Sequence, residues 1–330
     1  MNESRLTVDD RLPADYFTTT LHQDVRTGLT AVPRTLPAKW LYDKRGSDLF
    51  EQITMLPDYY PTRAEQEILT QRATEIATIT RATTLIELGS GSSRKTRLLL
   101  DALTAGGTLR RYAPLDVSAS AVAEAGRAIC RDYPGLDVTA TVADYDTGLA
   151  VSGSADTTES GPRLLSFLGS TIGGFDPDER LSFHRTLAGA LSGGDHLLLG
   201  ADLVKSPDVL VRAYDDPTGV SAEFNKNALH VLNRELGADF DPGAFDHVAL
   251  WKPESERMEM RLRARTAQTV TIPTLGLSID LAAGEDIRTQ LAHKFRRDSL
   301  TAELHNCGLT VRHWWTDPAA RFALLLAVPR

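Results

Sequence analysis

The sequence predicts an α/β fold carried by a parallel sheet, and three observations predict it. An apolar run, Thr84-Leu85-Ile86-Glu87-Leu88, breaks at Gly89-Ser90-Gly91 and resumes in a helical pattern over residues 96–103. That pattern reads as strand, tight glycine turn, helix. Two further strand-like runs, separated by helical stretches, each end in an acid, Asp116 and Asp144. The strand–helix rhythm persists to about residue 203 and then changes, which marks a second module.

Bulk properties narrow the class. A chain of 330 residues suits about two domains, or one large domain with an elaboration. The net charge of −8 argues against a general nucleic-acid or anionic-membrane binder. The longest apolar runs, such as residues 322–328, are too short to cross a bilayer. The first residues lack a signal-peptide apolar region, so a cytoplasmic protein without nucleic-acid or membrane partners is expected. Cys130 and Cys307 have no metal-ligand spacing and read as reduced, buried thiols.

The elements follow in order. Residues 1–16 are polar and expected to be poorly ordered at the start. Phe17, Leu21, Val25 and Leu29 recur at helical spacing, predicting a helix over 16–34. A short helix over 49–56 ends at Pro57. Residues 58–63, Asp-Tyr-Tyr-Pro-Thr-Arg, read as an aromatic loop that either packs or faces a substrate, ahead of a helix over 64–76. Strands are expected at 111–118, 136–142, 163–168 and from His196, with a surface loop at 151–162 and a helix from about Pro177. Beyond 204 come a loop at 212–217, a long helix over 220–236, antiparallel strands within 249–271, and a closing stretch at 279–285. A helix bearing Phe295, Leu300 and Leu304 precedes a final hairpin, 309–315 with 322–328, completing a seven-stranded sheet.

The chemistry sits at the strand ends. Gly89 and Gly91 let the backbone approach a ligand, although a structural turn alone would also use them. The third glycine of the dinucleotide fingerprint is missing, since Arg94 stands there, which disfavours an NAD-dependent oxidoreductase. Glu87 before the first glycine suits S-adenosylmethionine (SAM), whose sulfonium and amino group favour carboxylates. Asp116, 25 residues past Gly91, can take ribose hydroxyls or cap the next helix. Asp144 followed by Tyr145 suits an adenine, and the exit of the fourth strand, Gly169 to Gly174, is where an acceptor would meet the methyl group.

Nearly the whole chain resembles the SAM-dependent histidine Nα-methyltransferases of ergothioneine biosynthesis. The likeness runs through Lys39-Trp40-x-Tyr42-Asp43-x-x-Gly46-Ser47-Asp48-Leu49-Phe50, Tyr59-Tyr60-Pro61-Thr62-Arg63, Glu87-Leu88-Gly89-Ser90-Gly91 and Phe167-Leu168-Gly169-Ser170-Thr171-Ile172-Gly173. It continues in Leu210-Val211-Arg212-Ala213-Tyr214-Asp215-Asp216 and Arg263-Ala264-Arg265-Thr266-Ala267-Gln268. The resemblance implies a Rossmann-like class I methyltransferase domain (62–203 and 286–330) and a second, α+β substrate-binding domain (1–61 and 204–285), with the amino-acid pocket between them. It implies SAM contacts at Gly89, Lys95, Asp116, Asp144 and Tyr145. Substrate contacts are implied at Tyr42, Tyr59, Gly169 and Tyr214, with Met260 also in the pocket. The expected partner is a small amino acid, the expected state a monomer, and no metal is expected.

Three positions depart from the family pattern. Gly174 replaces an asparagine that helps hold the amino-acid group, and Gln290 and Ala292 replace the glutamate and serine that read the imidazole. A carboxylate holds a ring N–H by a charge-assisted bond, which neutral Gln290 lacks. A less polar, larger pocket points to N-methylation of an aromatic amino acid, tryptophan- or tyrosine-like. Histidine is the alternative acceptor, and a catalytically silent SAM-binding protein the second alternative. Tyr42, Tyr59 and the Gly169 carbonyl are the candidates to orient the reacting amine, and Tyr214 the candidate for the carboxylate.

Overall fold

The computed structural model describes residues 5–91, 93–144 and 161–330. In chain order the elements are β1 (Leu6–Asp10), α1 (Tyr16–Thr30), β2 (Arg34–Thr35), α2 (Lys44–Met55), α3 (Tyr60–Thr80), β3 (Thr84–Leu88), α4 (Arg97–Ala105), β4 (Arg111–Asp116), α5 (Ala119–Asp132) and β5 (Asp137–Val142). Next come β6 (Arg163–Phe167), α6 (Pro177–Ala190), β7 (His196–Asp202), α7 (Pro207–Tyr214), α8 (Val220–Leu236), β8 (Phe245–Lys252), β9 (Arg257–Ala264), β10 (Gln268–Ile272) and β11 (Leu277–Leu281). The chain ends with β12 (Asp286–His293), α9 (Arg297–Asn306), β13 (Leu309–Thr316) and β14 (Phe322–Pro329).

Two compact units result. The first comprises Met1–Pro13, Ala64–Leu203 and Phe295–Arg330. Its sheet has the order β1-β5-β4-β3-β6-β7-β14-β13. The strands from β1 to β7 run parallel, and the hairpin β13–β14 closes the far side antiparallel. From β3 the chain proceeds outward through β4 and β5 on one side and through β6 and β7 on the other. The order therefore reverses at β3/β6, and open α/β sheets bind ligands at the carboxyl ends of strands beside such a switch. Leu85, Leu164, Leu198 and Leu324 are fully buried on one face of the sheet with Leu99, Leu100 and Leu103 of α4, and Leu165, Leu197 and Leu325 on the other with Leu187 and Leu304. Strands buried on both faces read as continuous apolar runs, as these do.

The described sheet has eight strands where seven are expected. The added strand is β1, from the stretch expected to be poorly ordered. It pairs parallel with β5, Leu6 opposite Val138. Pairing satisfies the β5 edge, and the missing side chain of Gly126 leaves room for Leu6, whose Cδ1 would stand 2.9 Å from an added Cβ.

The second unit comprises Ala14–Arg63 and Val204–Lys294. A four-stranded sheet, β2-β12-β9-β8, is accompanied by the antiparallel pair β10–β11. Leu21, Val25 and Leu29 of α1 and Phe224, Leu229 and Leu232 of α8 share a buried core with Leu262 and Ile287. Each such side chain contributes roughly 1.5–3 kcal/mol when fully buried.

The unit boundaries differ from the expected domains in three stretches, the smallest being residues 62–63, which fall in the second unit. Residues 1–13 join the first unit through β1, and residues 286–294 join the second because β12 pairs antiparallel with β9. Three local expectations also change. The aromatic stretch at 58–63 is a loop only to Tyr59; α3 begins at Tyr60, where Pro61 in the first turn gives up no helical hydrogen bond. Arg212–Tyr214 is the last turn of α7 and not a loop. Phe295 lies outside α9 and bridges to Leu203. No helix among the described residues is long and apolar enough to cross a membrane.

Candidate active site

The first unit places its site residues at the carboxyl ends of β3, β4, β5 and β6. Gly89 and Gly91 both take positive φ, +64° and +46°, which only glycine adopts without strain. A Cβ on Gly91 would meet nothing within 4 Å, so the turn faces open space there. The Gly91 N–H donates to Asp116 Oδ2 at 3.0 Å, and the Ser118 N–H donates to Oδ1 at 3.0 Å. Asp116 thus locks the glycine turn to the end of β4. Burial holds its carboxyl above the usual range, partly offset by backbone N–H groups of Ser118, Gly91 and Val117. Asp144 is 4 % exposed, and the preceding Ala143 N–H donates to the Asp116 carbonyl at 3.1 Å. The two acids therefore stand on adjacent strand ends, as the sequence pattern predicts. Tyr145 lies outside the described residues.

Glu87 is held by two hydroxyl groups. Its Oε1 accepts from the Thr96 hydroxyl and its Oε2 from the Tyr112 hydroxyl. Tyr112 in turn shares a hydrogen bond with Ser93 Oγ at 2.8 Å. Burial pushes the Glu87 carboxyl up to about 7, against those hydrogen bonds. Glu87 is therefore an internal brace, joining β3 to the start of α4 and to β4.

At the end of β6 the structure supplies a residue that sequence reasoning missed. Glu65, fully buried on α3, pairs with Lys95 Nζ and accepts from the Gly169 N–H at 2.7 Å. It thereby fixes two expected site residues with one carboxylate. Gly169 has φ +76°, and a Cβ there would lie 3.6 Å from Lys95 Nζ. Gly174 closes a short 3₁₀ turn, Thr171–Gly174, with nothing within 4 Å of an added Cβ. A side chain could start there without its Cβ displacing a neighbour.

In the second unit the expected residues form an aromatic lattice with one strand against it. Tyr42 packs edge-on against Phe50 (5.5 Å between centroids), Phe50 against Tyr59 (6.2 Å), and Tyr59 against Tyr214 (6.2 Å). Edge-to-face pairs at these distances are attractive. Gln290 of β12 hydrogen-bonds the Tyr42 hydroxyl; burial nevertheless dominates and pushes that phenol up to about 12. Tyr42 keeps 37 % of its surface exposed, so part of the residue stays open to solvent. Met260 pairs with Gln290 across the β9–β12 ladder, and Ala292 pairs with Met258. Ala292 and Tyr214 pack against a cluster that holds Met258, Met260 and Tyr60. Lys294 Nζ donates to the Tyr214 hydroxyl at 2.7 Å, and Lys205 Nζ donates to that of Tyr60 at 2.7 Å. Neither lysine belongs to a recognisable motif. The only sequence signal for Lys294 is its two-residue spacing from Ala292.

The residues of the first unit fit SAM. A glycine turn opens onto free space, and acids, partly buried Asp116 and buried Asp144, end two successive strands beside the switch point. Comparison with known proteins agrees. A family model described as histidine-specific methyltransferase, SAM-dependent, matches residues 21–329. A histidine N-alpha-methyltransferase of Mycolicibacterium smegmatis is 52% identical over 323 residues, covering 98% of this chain and 99% of the relative. One from Mycobacterium tuberculosis is 50% identical over the same shares. An L-tryptophan methyltransferase of Psilocybe serbica is 27% identical over 319 residues, covering 88% of this chain and 87% of the relative. The chain is a SAM-dependent methyltransferase and belongs to the histidine-specific methyltransferase family.

Proposed function

We propose that the chain methylates the α-amine of L-histidine. The observation that carries this reading is the identity of about half of all residues, end to end, with two proteins named as histidine N-alpha-methyltransferases. It replaces the aromatic acceptor as the first reading. The physical reason lies in Gln290: a carboxamide lacks charge, yet its oxygen still accepts from a ring N–H and its nitrogen donates to a ring nitrogen. The change weakens recognition of imidazole without abolishing it.

SAM, when bound, supplies an electrophilic methyl group on a sulfonium. On this reading Gly89, Gly91, Asp116, Asp144 and Tyr145 hold it, with Lys95 kept in place by Glu65. Tyr42, Tyr59 and the Gly169 carbonyl orient the amine so that a neutral nitrogen lone pair faces the methyl carbon, and Tyr214 takes the carboxylate. Such alignment supplies much of the acceleration in a displacement of this kind. A phenol held near 12, as Tyr42 is, stays protonated at neutral pH and acts as a hydrogen-bond donor rather than a base.

A tryptophan- or tyrosine-like acceptor is the second reading. Ala292 favours it, because its side chain adds to an apolar cluster with Met258 and Met260. Incubation with SAM and an equimolar mixture of histidine, tryptophan, tyrosine and phenylalanine, read by tandem mass spectrometry, tests both. Histidine should give the dominant product, with the methyl on the α-nitrogen. A dominant aromatic product would install the second reading, and SAM binding without any product would favour a silent binder.

A further inference from the structure

Lys294 follows β12 directly. Its backbone N–H donates to the Glu256 carbonyl at 2.7 Å, which extends the strand by one residue. With the two-residue period of a strand, Gln290, Ala292 and Lys294 occupy one face. The bulge in the β9–β12 ladder falls between Arg288 and Gln290, so the alternation beyond it is unbroken. Gln290 reaches Tyr42, Ala292 packs in the cluster that includes Tyr214, and Lys294 reaches Tyr214 itself.

Lys294 is 4 % exposed, and its Nζ lies 2.7 Å from the Tyr214 hydroxyl and 4.7 Å from the ring centroid. An ammonium group has three donors and no acceptor. In this bond the phenol oxygen must therefore accept, and the phenol's own proton points to another partner. A cation on the oxygen also polarises that O–H. The result is a stronger hydrogen-bond donor, and a carboxylate oxygen accepts from it more strongly than a neutral group does.

We infer that Lys294, acting through Tyr214, makes a free α-carboxylate a requirement for the methyl acceptor. This inference rests on the amino-acid reading given above. It assigns Lys294 as a positioning residue. It also predicts that decarboxylated amines are rejected even when their ring is correct.

The probes are L-histidine and histamine, which differ only in the carboxylate. Their affinities are measured with S-adenosyl-L-homocysteine present. The wild-type chain should bind histidine at least about 10-fold more tightly, the worth of one charge-assisted hydrogen bond. Lys294→Met should collapse that ratio toward one by weakening histidine alone, and Lys294→Arg should keep most of it. Tyr214→Phe should collapse it too, and the Lys294→Met/Tyr214→Phe double variant should lose little more than either single change, because the two act as one unit. Equal weakening of both ligands would mean a merely structural lysine and overturn the inference, as would an unchanged ratio. Failure of the amino-acid reading shows earlier and differently: the wild-type chain would then bind histidine no better than histamine.

Discussion

The two units build their sites in opposite ways. In the first, the groups at the strand ends are held largely by backbone: Gly91 and Ser118 N–H groups on Asp116, and the Gly169 N–H on Glu65. In the second, side chains hold side chains, Gln290 on Tyr42 and Lys294 on Tyr214, from alternate positions of a single strand. A site made from turns and strand ends is fixed by the sheet's topology and suits an invariant ligand. One made from a row of side chains is retuned by single substitutions at little cost to the fold. The difference teaches where to expect donor chemistry and where to expect acceptor choice.

The largest effect should come from the brace that the first unit cannot lose. Glu65→Ala leaves Lys95 without its buried partner and the Gly169 N–H without an acceptor. It should lower stability by about 3–5 kcal/mol in denaturant titration. A loss below about 1 kcal/mol would remove Glu65 from the framework.

Glu87 gives a pH-dependent counterpart. Its folded carboxyl sits near 7, above the 4.5 of a free glutamate. The folded state therefore binds the proton more tightly. Glu87's contribution is full below about pH 4.5 and is lost as pH rises through 7, a swing on the order of 3 kcal/mol. Glu87→Gln should match the wild-type chain at pH 4.5 and be more stable at pH 8. Parallel stability curves for the two proteins would contradict the raised Glu87 carboxyl.

Asp116→Ala, measured by calorimetry, should weaken SAM binding by about 100-fold, as expected when a charged acceptor is removed from a bound hydroxyl pair. Unchanged affinity would remove the ribose assignment. The same substitution should leave the Tyr42–Gln290 and Tyr214–Lys294 contacts of the second unit intact.

What the sequence made legible follows the same division. The glycine turn, Asp116 and Asp144 were readable because strand, turn and acid lie within a few residues of each other. Glu65 was not, because α3 brings it to Gly169 from 104 positions away. The hydrogen bonds of Glu87 were not readable, since neither Thr96 nor Tyr112 announces that it will turn its hydroxyl inward. β1 was missed because its burial is slight and its order comes from pairing with β5. β12 was missed as a strand of the second unit, although its alternation, Ile287, Thr289, Leu291 and His293 buried in turn, is present in the chain. Only its pairing with β9 shows that Gln290, Ala292 and Lys294 form one row.

The central claim is that this row chooses the acceptor while the strand ends of the first unit hold the donor. It is tested most directly with the double variant Gln290→Glu/Ala292→Ser, assayed with histidine and tryptophan side by side. The histidine-to-tryptophan ratio of kcat/KM should rise by about 10-fold, the gain of a charge-assisted bond to the ring, while KM for SAM stays unchanged. An unchanged ratio, or a shift in the KM for SAM as large as the shift in preference, would contradict the account.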